Sequence, residues 1–130
     1  MTFKNRFDKD NGIVFVRVLG EITVEDLMQN EMKILQHPDY RASFNMFLDM
    51  SLAKPHPSVD LGKVIISKEF VASLQEDIGN CKWAVYAPDD TPYAFSQMFE
   101  VISSGLTVET KVFRESKDAM RWLQQSGQGT

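Results

Sequence analysis

A chain of 130 residues, 43% hydrophobic and 25% charged, fits one globular domain, expected over 1–125, that can bury roughly two-thirds of its unfolded surface without staples. The net charge of −4, with Lys and Arg scattered, excludes the positive stripe that a nucleic-acid binder uses to replace phosphate counterions. The single cysteine, Cys81, permits neither an internal disulfide nor a Cys-x-x-Cys pair. No apolar leader or membrane-length run is visible, so a cytoplasmic protein without integral membrane association is expected.

Phe3, Asn5 and Phe7 alternate with Lys4, Arg6 and Asp8, the period of a half-exposed strand. The turn formers Asp8-Lys9-Asp10-Asn11-Gly12 follow. Ile13 to Leu19 is apolar at nearly every position, as a central strand is. The two strands read as a hairpin with the first at an edge. Thr23 can cap the next helix, with Glu25 and Asp26 in its first turn. Val24, Leu27, Met28, Glu31 and Leu35 form one stripe with one charged interruption. Pro38 ends that helix near Gln36.

Phe44 to Asp49 reads as a second interior strand, followed by a loop with Pro55 and Pro57. Ser58 stands in a good N-cap context for a helix whose inward stripe is Leu61, Val64, Ile65 and Ala72, widened by Phe70, Val71 and Leu74. Gly79 stops it. Lys82 to Ala87 is a third interior strand. Asp90 or Thr91 caps the next helix and Pro92 suits its first turn. Ala94, Phe95, Met98, Phe99 and Ile102 make its broad apolar face, and Gly105 fits the left-handed position after it. From Thr107 to Phe113, Val108, Thr110 and Val112 alternate with Glu109 and Lys111, as in a more exposed strand. Ser116 caps a final helix carrying Ala119, Met120, Trp122 and Leu123. The tail 126–130 has nothing to bury and should fray.

The order is β-β-α-β-α-β-α-β-α. After the hairpin every strand is followed by a helix, which calls for parallel strands joined by right-handed crossovers. The expected fold class is α/β, a mostly parallel five-stranded sheet with an antiparallel first edge strand.

Several short stretches recur at the right spacing for one family. They are Gly20-Glu21-Ile22-Thr23, His37-Pro38-Asp39-Tyr40, Leu48-Asp49-Met50-Ser51, Tyr86-Ala87-Pro88-Asp89-Asp90, the helix from Phe95 to Phe99, and Val112-Phe113-Arg114 through Ala119-Met120-Arg121-Trp122-Leu123. On these the chain, over about residues 2 to 124, resembles the SpoIIAA-like family of small bacterial STAS/Sec14-type proteins. The resemblance implies a STAS-like sheet of successive βα turns and a protein that docks partners or small ligands. Phospho-switched antagonists of that kind carry Asp-Ser-Ser/Thr-Gly where the helix after the third strand begins. Here the place reads Pro57-Ser58-Val59-Asp60-Leu61-Gly62, so only Ser58 can stand in for the modified hydroxyl. Ser103-Ser104-Gly105 mimics the motif but falls at a helix end.

Ser58 is the regulatory candidate. A phosphate there would add a charge of about −1.5 to −2 to a docking surface; the plainer reading is a helix cap. Asp49, Ser51, Asp89 and Asp90 are polar-rim candidates, because ligands of parallel sheets sit beyond the C-terminal strand ends. The plainer reading is hydrogen bonding to loop backbone, with Asp90 a cap. Phe47, Tyr93, Phe95, Met98 and Phe99 are candidates for an apolar pocket or interface, with an ordinary core as the alternative. His37 and His56 lack ligand-spaced neighbours, so no metal or cofactor is expected. No Ser/His/Asp order or Gly-rich phosphate loop is present. The expectation is a non-enzymatic regulatory or protein-interaction module, a homodimer or bound to another protein. The alternative is a carrier or sensor of an apolar ligand such as a lipid or fatty acyl chain.

Overall fold

In the computed structural model, residues 2–125 are described; the expected fraying of 126–130 lies outside them. The strands are β1 (Phe3–Asp8), β2 (Ile13–Ile22), β3 (Asn45–Pro55), β4 (Cys81–Tyr86) and β5 (Val108–Phe113). The helices are α1 (Val24–Gln36), α2 (Leu61–Ser73), the short α3 (Gln75–Ile78), α4 (Asp90–Ile102) and α5 (Ser116–Gln124). They form a five-stranded sheet in the order β1-β2-β3-β4-β5. β1 is antiparallel to β2, and the other pairs are parallel. The expected fold class and edge position of the first strand are both found.

The order has a physical consequence. The sheet is wound in one direction, so right-handed crossovers place the connecting helices on one face. Ile34 of α1 and Val71 of α2 accordingly pack on Val14, Val16, Met46, Trp83 and Val108, with Phe99 of α4 against the same cluster. The last helix takes part in no crossover and covers the other face. Ala119, Trp122 and Leu123 of α5 pack there on Ile13, Phe47 and Ala84.

The ends of the elements follow local chemistry. Thr23 caps α1 in a reciprocal pair: Asp26 N–H donates to Thr23 Oγ1 and Thr23 N–H donates to Asp26 Oδ2, both at 3.0 Å. At α2 the cap is Asp60, whose Oδ1 accepts from Lys63 N–H at 2.9 Å. Ser58 is therefore not the cap, a correction to the sequence reading. It lies two residues earlier, where its N–H donates to His56 Nδ1 at 3.0 Å. Likewise Asp89 and Glu115 occupy the cap positions of α4 and α5, and Asp90 and Ser116 are the first helical residues. Gly79 ends α3 with φ of +78°, and a Cβ there would meet Ser43 Oγ at 2.6 Å, so only glycine fits.

β3 is longer than its sequence suggests. It continues past Asp49 to Pro55 because β2 runs on to Ile22, and the two pair alone beyond the end of β4. Between Arg17 and Leu19 the partner shifts from Asp49 to Leu52, so β3 carries one extra residue there. At the other side of the sheet, Val112 N–H of β5 donates to Glu100 Oε1 of α4 at 2.9 Å.

Candidate functional site

The helices of the crossover face do not close completely on the sheet. Between them lies a cavity of about 150 Å3, open to solvent on part of its boundary. A water needs about 10–15 Å3 of such space, so the cavity has room for roughly ten non-hydrogen atoms. Its floor is the sheet, with Val16, Met46, Leu48, Trp83 and Val85. Its walls come from α1 (Leu27, Glu31), α2 (Val64, Phe70) and α4 (Phe95, Phe99).

The space traces to α2. That helix is apolar around most of its circumference, yet only Val64 and Val71 are buried. Leu61, Ile65 and Ile66 are 51%, 41% and 47% exposed, so Leu61 and Ile65 do not form the inward stripe the sequence suggested. With part of its apolar surface turned outward, α2 supplies too few side chains to fill the layer beneath it.

The polar atoms in the lining differ in state. Asn30 is buried and exchanges two hydrogen bonds with Asn5. Ser67 Oγ donates to Val64 O at 2.6 Å. Thr110 is 8% exposed, and its Oγ1 has no hydrogen-bond partner among the described residues. Glu31 replaces an apolar residue on the inward stripe of α1, and burial pushes its carboxyl up to about 7. Burial, followed by the charge of Glu31, pushes the Cys81 thiol up to about 12. Cys81 is buried at the start of β4, and such a thiol is inert rather than nucleophilic.

The sequence candidates divide. Phe95 and Phe99 line the cavity as a pair four residues apart on α4. Met98 is 36% exposed and faces away. Tyr93 packs on the cluster around Val18 and Val112, with the Arg114 guanidinium 4.0 Å above its ring. Phe47 is buried on the opposite face against the α5 cluster, with Phe15 and Tyr86 around it. The reason is strand alternation: Met46 points to the cavity, so its neighbour Phe47 points away. Phe44, Met46, Phe47 and Met50 all find inward places because the sheet has two covered faces.

The polar-rim residues do not gather around one ligand site. Asp49 is mid-strand and holds the β3 irregularity: its Oδ1 accepts from Ser51 N–H at 2.9 Å and its Oδ2 from Arg17 Nε at 3.3 Å. Asp90 Oδ1 accepts from Arg114 Nη1 at 2.8 Å, and Asp89 is exposed. Ser58 Oγ shares a hydrogen bond of 2.9 Å with His56 Nδ1. No group of three or more His, Cys, Asp or Glu able to hold a metal ion occurs among the described residues. The strand order never reverses, so the crevice that reversal opens in other parallel sheets has no counterpart here. Glu31 and Thr110 were not singled out as site residues. Their signal was a polar residue interrupting an apolar stripe on the helix and an alternating Val-Thr-Val on the strand.

The solved structure of an uncharacterised protein from the DUF3478 family, from Shewanella loihica PV-4, described as having a SpoIIAA-like fold, superposes on this chain with a TM-score of 0.57. The match covers 93% of this chain and 91% of that one at 14% identity. The chain therefore has the SpoIIAA-like fold. No protein-family model matches it, nor does any curated protein. No helix among the described residues is long and apolar enough to cross a membrane.

Proposed function

We propose that this domain binds an apolar small molecule in the cavity between the sheet and α1, α2 and α4, and acts without catalysis as a carrier or sensor inside the cell. The observation that carries the reading is an apolar space of about 150 Å3 walled by Phe95 and Phe99. Well-packed cores leave few voids larger than a water, whereas ligand sites are concave, mostly apolar and contain few polar groups. A non-catalytic role is supported by the raised Cys81 thiol and by the pairing of Asp49 with Arg17 and Asp90 with Arg114. The test is thermal melting of the full chain with n-butylbenzene, an uncharged apolar probe. A ligand that binds only the folded state raises the midpoint. No shift at the solubility limit of the probe would count decisively against the cavity as a binding site.

A second reading is a regulatory protein-interaction module, as a homodimer or with another protein. It draws on the exposed Leu61, Ile65 and Ile66, neighbours on α2, since exposed apolar surface on one helix face marks interaction sites. Sedimentation velocity at micromolar concentration tests self-association: a monomer throughout would end the homodimer. The Ser58 switch belongs to this reading. Its hydroxyl is on an exposed residue, and Ser58→Asp should weaken partner binding if phosphate acts there.

A further inference from the structure

The lining of the cavity contains no Lys, Arg or His side chain among the described residues. Its one ionisable group, Glu31, is acidic. An anionic headgroup drawn into this space would lose its hydration and meet no cation in return. Neutral polar groups face a smaller cost, and the lining offers them hydroxyls at Thr110 and at the partly exposed Ser96. Thr23, Asn30 and Ser67 use their side-chain polar atoms within the fold, whereas Thr110 Oγ1 is buried without a partner among the described residues. Buried hydroxyls are ordinarily satisfied, and a threonine hydroxyl both donates and accepts.

Thr110 is well placed for this. It pairs with Trp83 across β4–β5, and Trp83 pairs with Met46 across β3–β4. All three line the cavity, so Thr110 stands at the end of a row of apolar side chains, with its hydroxyl buried beside the space. We infer that the cavity takes an uncharged chain of about ten non-hydrogen atoms bearing one hydroxyl or carbonyl that bonds Thr110 Oγ1, and rejects the corresponding carboxylate. This rests on the reading of the cavity as a ligand site and adds the headgroup chemistry. Glu31 reinforces the choice: ionised it repels an anion, and protonated it is a neutral acid among apolar groups.

The experiment is calorimetric titration of the full chain at about pH 8, where octanoate is ionised, with 1-octanol, octanoate, octylammonium and n-butylbenzene. 1-Octanol should bind at least about tenfold more tightly than octanoate. Thr110→Val keeps the shape and removes the hydroxyl; it should weaken 1-octanol about five- to tenfold and leave n-butylbenzene within about twofold. Octanoate or octylammonium binding as tightly as 1-octanol, or an unchanged 1-octanol affinity in Thr110→Val, overturns the headgroup assignment. If n-butylbenzene still binds in those cases, the cavity reading stands. If none of the four binds, both fall.

Discussion

Asn5 of β1 and Asn30 of α1 are joined by two reciprocal amide hydrogen bonds, Asn5 Nδ2 to Asn30 Oδ1 at 2.8 Å and Asn30 Nδ2 to Asn5 Oδ1 at 3.1 Å. The pair ties the edge strand to a wall of the cavity and occupies the carboxamide of a buried residue. Asn5→Ala leaves that carboxamide unpaired and should cost about 1–3 kcal/mol by urea denaturation. Adding Asn30→Leu should recover much of the loss, because the stranded polar group is then gone. A cost below about 0.5 kcal/mol for Asn5→Ala would show the pair to be dispensable.

Glu31 makes stability depend on pH. Burial raises its carboxyl from 4.5 to about 7 in the folded chain. The fold thus favours the protonated acid. This contribution is complete below about pH 4.5 and is lost as pH rises through about 7. The side chain keeps some exposure, so the loss should be about 2 kcal/mol rather than the full value of the shift. Glu31→Gln should remove this slope and be the more stable protein at alkaline pH. Parallel stability–pH curves for the two proteins would refute the assignment.

Thr110→Val should stabilise the ligand-free protein by about 1 kcal/mol, since an unpartnered buried hydroxyl is replaced by a methyl group of similar size. Denaturant midpoints with unchanged slope would measure it. A destabilised variant would mean the hydroxyl is satisfied in solution.

Ser96 lines the cavity from α4, beside Phe95. Ser96→Leu places aliphatic atoms in the empty space, so it should raise the melting temperature and abolish the response to n-butylbenzene. Retained binding with raised stability would place the probe elsewhere.

The two cap candidates of α2 are separable. Asp60→Ala should cost about 1 kcal/mol, because Lys63 N–H loses its acceptor. Ser58→Ala should stay within about 0.5 kcal/mol. The reverse ranking would return the cap to Ser58.

The layout of the molecule was legible because it rests on local periodicity and on the handedness of crossovers. Phe3 to Phe7 read as an edge, and the later alternation of strand and helix required parallel pairing; both are found. The end of β3 was not legible, since Met50 to Pro55 stay extended only because β2 offers a partner as far as Ile22. Phe95 and Phe99 were recognised from helical spacing. Phe47 was grouped with them because the adjacent aromatic and methionine residues obscured which face each would take. Glu31 and Thr110 were visible as interruptions, yet nothing local says that the layer above them is underfilled. That depends on how α2 seats, a property of packing between segments far apart in the chain.

The Glu100 bond to Val112 N–H occupies an outward-facing donor of β5, and the opposite border, β1, exposes Lys4, Asn5 and Arg6. A newcomer strand would have to displace a carboxylate at one border or lie along charged side chains at the other. Both outer borders of the sheet are thus guarded against fibre-like growth.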